Sequence, residues 1–204
     1  MIEELDVPVA FDTDVNTAAL AEQRWGAARG LSNFIYITVG TGIGAGIVVN
    51  DRPVHGLVHP EFGHILIPHD HTGDPFPGSC PFHRDCLEGM ASGEALRARY
   101  GKPAEQLDDQ AAWALEARYL AIGIMNAVFA VSPERVVLGG GVIKKPGLLP
   151  IVRTQVKELI SDYIELAGEV GNIDDFIVPP ALGDYTGVVG ALLLAMAVHA
   201  GLAK

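Results

Sequence analysis

The chain reads as an α/β protein, and three observations predict this. Strand-like and helix-like runs alternate along its 204 residues. Glycine-rich turns close two of the β-branched runs, at Gly40–Gly46 and Gly139–Gly141. Hydrophobic residues make up 49% of the chain, enough for a large buried core.

Taken in order, Val7–Phe11 is a short apolar run expected to end a strand. After Asp12-Thr13-Asp14, the spacing of Val15, Ala18, Ala19, Glu22 and Trp25 predicts a helix from Val15 to Arg29. Phe34–Val39 and Ala45–Asn50 are β-rich and predict a hairpin, and Asn50-Asp51-Arg52-Pro53 is a second turn. His64–Ile67 reads as a strand. His69–Pro81 is rich in Pro, Gly and His and predicts a loop that something must fix in place. Helices are expected from about Cys86 to Tyr100, where Gly101-Lys102-Pro103 breaks them, and from Asp108 to Val131. Arg135–Leu138 predicts a buried strand leading into Gly139–Gly141 and then a helix. Leu148–Ile164 is helical, Phe176–Val178 a strand, and Thr186–Ala203 a final buried helix.

The formal net charge is -11, and the 14 Lys and Arg form no basic patch. A polyanion would be repelled, so no nucleic-acid partner is expected. The first ten residues hold Glu3, Glu4 and Asp6 and no basic stretch, so no signal peptide is read there. The apolar run Gly187–Ala203 is shorter than the ~20 residues of a membrane span, and His199 interrupts it. The expectation is a cytoplasmic protein with no membrane partner.

Four constellations carry chemistry. The first is Glu61-Phe62-Gly63-His64 followed by Cys80-Pro81-Phe82-His83-Arg84-Asp85-Cys86 and Glu88. Two thiolates and two imidazoles can close a tetrahedral zinc shell, which makes His64, Cys80, His83 and Cys86 candidate ligands. His55, His59, His69 and His71 lie nearby and keep the histidine ligands open, and a Cys80–Cys86 disulfide is the plain alternative. The second is Gly40-Thr41-Gly42-Ile43-Gly44-Ala45-Gly46, whose backbone N–H groups could approach a phosphate. A strand follows it, which excludes a dinucleotide fingerprint, and an unliganded hairpin turn is the alternative. The third is Asp12-Thr13-Asp14, where a carboxylate between strand and helix is placed for general-base work or for helix capping. The fourth is Gly139-Gly140-Gly141, which offers bare backbone to an anion or an adenosine.

In this order the motifs resemble the ROK family of sugar kinases and repressors, and Cys-x-x-His-x-x-Cys is similar to the pattern of its bacterial fructokinase branch. The resemblance implies an actin-like ATPase, ribonuclease-H-like fold. In that fold residues 34–185 would form the large lobe, with a zinc-binding loop over 64–88. Residues 1–33 would be a remnant of the small lobe, with the helix over 186–204 packing back on it. It implies ATP-dependent phosphorylation of a hexose, foremost D-fructose to fructose 6-phosphate, with ATP, Mg²⁺ and a structural Zn²⁺, by a homodimer. Asp14 matches the catalytic base. Glu61, His64, Glu88 and Thr13 match hexose contacts, although Thr13 stands where the family has asparagine. Thr41 and Gly42 match the turn near the ATP phosphates, and Gly139, Gly140 and Gly141 the nucleotide-side loop. His64, Cys80, His83 and Cys86 match the zinc ligands. The family's Asp-x-Gly-Gly-Thr hairpin would precede Met1, so the chain alone is expected to be a weak kinase or none. The alternatives are a non-catalytic zinc- and sugar-binding module, or a kinase for glucose, mannose or N-acetylmannosamine. A repressor would need a helix-turn-helix that this sequence does not show.

Overall fold

The computed structural model describes residues 7, 9–161, 163–164 and 172–200. Its elements in chain order are α1 (Asp14–Trp25), β1 (Phe34–Val39), β2 (Ile43–Val49), β3 (Arg52–Pro53), α2 (Leu87–Ala91), α3 (Gly93–Tyr100), α4 (Gln110–Val131), β4 (Arg135–Gly139), α5 (Leu148–Ile160), α6 (Ile173–Phe176), β5 (Ile177–Val178) and α7 (Thr186–His199). The strands form one sheet in the order β3-β2-β1-β4-β5. β1 and β2 are an antiparallel hairpin with Phe34 opposite Val48, and β2 continues antiparallel to β3. β4 joins β1 in parallel, Phe34 opposite Arg135, and β5 joins β4 in parallel. Five of the six residues of Phe-Ile-Tyr-Ile-Thr-Val in β1 are buried, as a central strand covered on both faces requires. Asn50 and Asp51 both take positive φ, 52° and 65°, which turns β2 tightly into β3.

Two cores sandwich the sheet. On one face α4 and α5 pack against each other, and with α2 they cover Ile35, Ile37, Val39, Val136 and Leu138. α4 is apolar and long enough to cross a membrane, yet Trp113, Tyr119, Leu120 and Ile124 are buried in this core. On the other face α1 lies along β2 and packs on α7, enclosing Val15, Ala18, Ala19, Phe34, Tyr36, Val48 and Val137. The α1–α7 approach is close enough that Gly190 rests on the backbone carbonyl of Thr17, where any side chain would collide.

Glu22 locks these helices together. It is fully buried on α1. It accepts hydrogen bonds from the N–H of Ala27 (2.6 Å), Ala181 (3.0 Å) and Leu182 (3.1 Å) and from the Thr186 hydroxyl (3.0 Å). Removing the carboxylate leaves three part-buried N–H donors and the buried Thr186 hydroxyl without this partner, at about 1 kcal/mol or more each. Glu22→Ala is therefore expected to lose roughly 3 kcal/mol or more in urea unfolding; a loss under about 1 kcal/mol would contradict this role.

Several expected elements differ. Residues 9–13 make no strand ladder; the segment is fixed instead by Asp12, which bonds Thr13, Asn16 and His55. The first helix ends at Trp25 rather than Arg29, with Gly26 as its cap. His64–Ile67 is not a strand: Phe62–His64 is a 3₁₀ turn, and only Leu66 bridges to Cys86, because Pro68 has no N–H to extend a ladder. The helix expected over Cys86–Tyr100 is two helices. Ser92 turns extended between them and caps α3, accepting from Ala95 N–H at 3.1 Å. No helix starts at Gly141; Val142–Lys144 is a 3₁₀ turn, since Pro146 forces Lys145 out of helical geometry, and α5 begins only after Gly147. Of the expected helix Leu148–Ile164, the part to Ile160 is present. The strand expected over Phe176–Val178 keeps only its last two residues, Phe176 closing α6. α7 is not a buried helix. Val188, Leu192 and Met196 are 54–71% exposed, because only the Thr186–Gly190 side meets α1. Residues 201–203 of that prediction lie outside the described residues.

Candidate functional site

Asp14 opens the first turn of α1, where Thr13 is the cap and accepts from Asn16 N–H at 3.1 Å. The Asp14 side chain is exposed and accepts from its neighbour Val15 N–H at 2.9 Å. Asp12 sits behind it. One of its oxygens accepts from Thr13 N–H (2.7 Å) and Asn16 Nδ2 (2.7 Å) and faces His55 Nε2 (3.2 Å). Burial pushes the Asp12 carboxyl up, but the Asn16 and Thr13 donors and His55 outweigh it and hold the group below the usual carboxylate range.

The second wall is the Glu61–Glu88 segment. His64, in the 3₁₀ turn, directs Nδ1 to Cys80 Sγ and Cys86 Sγ at 3.7 Å each, and His83 Nδ1 lies 3.9 Å from Cys80 Sγ. One donor atom from each of the four residues lies within 4.8 Å of the others, and both cysteines are buried free thiols, not a disulfide. A cation about 2.3 Å from sulfur and about 2.0 Å from nitrogen in tetrahedral geometry sets those atoms about 3.6 Å apart. The donor set therefore fits such an ion. Burial and the neighbouring Cys80 push the Cys86 thiol up to about 11. Burial acts the same way on Cys80, but the N–H groups of His83 and Phe82 and the Cys86 partner bring it below its usual value. With Nδ1 engaged, Nε2 is the His64 nitrogen left for another ligand.

Glu88, in the first turn of α2, accepts from Ile43 N–H at 2.9 Å and lies against Gly42. One residue along β2, Gly44 rests on the side chain of Val15, the neighbour of Asp14. Asp14 makes no hydrogen bond to Glu61, His64 or Glu88 among the described residues; α1 and α2 lie on opposite faces of the sheet and both pack on β2. Glu61 is exposed and pairs with His59 at 3.0 Å. The loop before Cys80 is held by a buried group that the sequence did not reveal. Asp74 accepts from Arg99 (3.0 Å) and Tyr119 OH (2.7 Å), and His69 Nε2 lies 2.9 Å from its carbonyl.

A pocket of about 420 Å³ opens at the C-terminal end of the parallel strands β1 and β4. Gly139, Gly140 and Gly141 line it with Tyr36, Pro180, Asp184 and Gly187. Gly140 has φ +99° and lies on the Val39 backbone, a position closed to other residues. Burial, then Glu22 and Asp14, push Tyr36 up to about 12, so its hydroxyl stays protonated. The Asp14 groove, lined by Phe11, Asp12, Thr17 and Ala191, shares Gly187 with this pocket. Thr41 lines a third depression that meets Gly141, and the turn bearing Thr41 and Gly42 is tied to α3 by Gly93 N–H to Gly40 O at 2.7 Å. The Asp14 groove and the Gly139–Gly141 pocket thus share Gly187, and the depression lined by Gly40 and Thr41 shares Gly141 with that pocket. Nothing in the sequence signalled that Asn16 and His55 meet at Asp12, or that Tyr36 lines the glycine pocket; His55 entered there only as one of the histidines near the cysteines.

The ROK family model matches residues 1–198. Fructokinase of Zymomonas mobilis subsp. mobilis is 45% identical over 201 residues, covering 97% of this chain and 65% of that protein. Fructokinase of Pediococcus pentosaceus is 37% identical over 195 residues, covering 95% of this chain and 66% of that protein. The chain therefore spans just under two thirds of the length of these relatives. Among solved structures, a ROK hexokinase from Thermus thermophilus superposes with TM-score 0.76 at 29% identity, covering 98% of this chain and 68% of that one. A ROK family glucokinase from Streptomyces griseus, in complex with glucose and AMPPNP, gives TM-score 0.70 at 26% identity, covering 95% of this chain and 70% of that one. The chain belongs to the ROK family and has the actin-like α/β fold of that family's sugar kinases.

Proposed function

We propose that this chain supplies the hexose-binding and base-bearing part of an ATP-dependent hexose kinase, with D-fructose as the sugar and fructose 6-phosphate as the product. The observation that carries the proposal is the placement of two carboxylates around β2. Glu88 is fixed on Ile43 N–H, and Asp14 follows α1, which rests on Gly44. Relatives named fructokinase at 45% and 37% identity support fructose over glucose, mannose and N-acetylmannosamine.

In this mechanism Glu61, His64 through Nε2, Glu88 and Thr13 bind sugar hydroxyls, and Asp14 takes the proton of the attacking hydroxyl. The hydroxyl oxygen forms its bond to the γ-phosphorus as the bond to the β-phosphate oxygen breaks and ADP leaves. Such a transfer needs in-line placement and charge neutralisation more than covalent help. Thr41 and Gly42 face the phosphates, and Gly139, Gly140 and Gly141 hold the nucleotide. Mg²⁺ bound with ATP would neutralise phosphate charge. Zn²⁺ held by His64, Cys80, His83 and Cys86 would have no open position and would serve to fix His64 and the start of α2.

The proposal includes a cytoplasmic homodimer with no nucleic-acid or membrane partner, supported by the charge of -11 and by the exposed apolar side of α7. It also treats residues 1–33 with the C-terminal helix as part of the small lobe and 34–185 as the large lobe; the mutual packing of α1 and α7 supports grouping them. The test is ADP release with each of the four sugars. It is run on the chain alone and on the chain fused to the segment of the Zymomonas mobilis relative that it does not span. Turnover with fructose well above the other three is expected from the fusion. Fructose binding without turnover in either form would favour a non-catalytic sugar-binding module.

A further inference from the structure

We propose that His69, His71 and Asp85 form a second cation site, separate from the four-ligand cluster, which takes a divalent transition metal through nitrogen and oxygen donors. One donor atom from each residue lies within 4.8 Å of the other two. His69 Nδ1 is 3.1 Å and His71 Nε2 is 3.9 Å from the same Asp85 oxygen, and the two rings stand 4.0 Å apart. The His69 side chain is 2% exposed, Asp85 33% and His71 73%, so one ligand is fixed, one is half-buried and one is free to swing in from solvent.

The hydrogen-bond pattern of His69 points to a cation. Its Nε2 lies 2.9 Å from the carbonyl oxygen of Asp74. A carbonyl only accepts, so Nε2 carries the proton, and Nδ1 of the neutral ring presents a lone pair. That lone pair faces a carboxylate oxygen, another acceptor, at 3.1 Å. Two acceptors at this distance need a positive species to share, either a second ring proton or a metal ion. The Asp74 carboxylate, 4.0 Å from Nε2, is already paired with Arg99 and accepts from Tyr119 OH. An N–H···O=C bond on the far ring nitrogen is also the support that metal-bound histidines receive.

The spacing agrees. Nitrogen and oxygen ligands about 2.1 Å from one ion sit about 3.0 Å apart in octahedral and about 3.4 Å apart in tetrahedral geometry. The His69–Asp85 separation of 3.1 Å falls between them, and rotation of the exposed His71 closes its longer gap. Two imidazoles and one carboxylate, without sulfur, suit Zn²⁺, Co²⁺ or Ni²⁺ better than Mg²⁺ or Ca²⁺. Asp85 directly precedes Cys86 and the helix bearing Glu88. Occupancy therefore ties the 69–71 segment to the base of the proposed sugar site.

The test uses the untagged chain carrying one tightly held equivalent of zinc, titrated with Co²⁺ under equilibrium dialysis and visible absorption. A second equivalent is expected to bind with weak visible bands and no near-ultraviolet charge-transfer band, since no thiolate touches it. His71→Ala, a change on an exposed side chain, is expected to leave the first equivalent and the melting temperature unchanged and to weaken the second by about tenfold or more. Asp85→Asn should do the same to the second equivalent. Binding of a single equivalent by the parent would overturn the proposal, and so would equal second-equivalent affinity in parent and His71→Ala.

Discussion

Asp14→Asn is expected to lower kcat for fructose phosphorylation about 10³-fold, on the scale of an entire general-base contribution, while fructose affinity stays within about threefold of the parent. That fall equals about 4 kcal/mol of transition-state stabilisation. The asymmetry follows from what the amide keeps. Asparagine still accepts from Val15 N–H, as Asp14 does at 2.9 Å, so the start of α1 is undisturbed. It still offers a hydrogen bond to a sugar hydroxyl, but it cannot take a proton. The measurement is steady-state turnover of the fusion protein beside calorimetric fructose binding. A kcat within about tenfold of the parent would remove Asp14 from the chemistry. Lost binding together with lost turnover would make it a contact rather than a base.

Removal of the metal is expected to have the largest effect on stability. Cys80 and Cys86 are buried at 4% and 0% exposure, and the segment they close has little regular structure: a 3₁₀ turn and two isolated bridges. A structural tetrahedral ion supplies folding free energy directly. For a chain of this size, losing ~4 kcal/mol lowers Tm by about 10 °C or more. Chelation followed by metal analysis and thermal unfolding should show this drop. Hydrogen exchange should show lost protection over residues 62–90, with β1 and β4 still protected. Cys86→Ser should mimic it. An unchanged Tm after confirmed metal loss would mean that Asp74, Arg99 and Tyr119 hold the loop unaided.

The sheet was legible because its strands obey local rules: the β-branched run Phe34–Val39, the tight Asn50-Asp51 turn, and Arg135–Leu138 ending in glycines. α1 was legible from helical spacing and the capping residues before it, and α4 as a long helical run from Asp108 that the structure begins at Gln110, capped by Asp109. Some of the misses are set by distant partners, others by a nearby proline such as Pro146. Leu66 meets Cys86, twenty residues later, and Ser92 turns because Gly93 must reach the Gly40 carbonyl. α7 misled because a helix apolar on all sides reads as buried, whereas here only one side is covered. The clustering of His64, Cys80, His83 and Cys86 was visible from spacing, since ligands on short loops have few ways to converge. The Asp12–Asn16–His55 and His69–Asp74–Arg99 contacts were not, because polar residues in loops carry no periodicity.

The most direct measurement is a crystal structure of the zinc-loaded protein with fructose bound. The account predicts the sugar between α1 and α2, its 6-hydroxyl within hydrogen-bond distance of an Asp14 oxygen and ring hydroxyls on His64 Nε2 and Glu88. Fructose bound away from Asp14, or His64 turned from the cysteines with no ion between them, would contradict it.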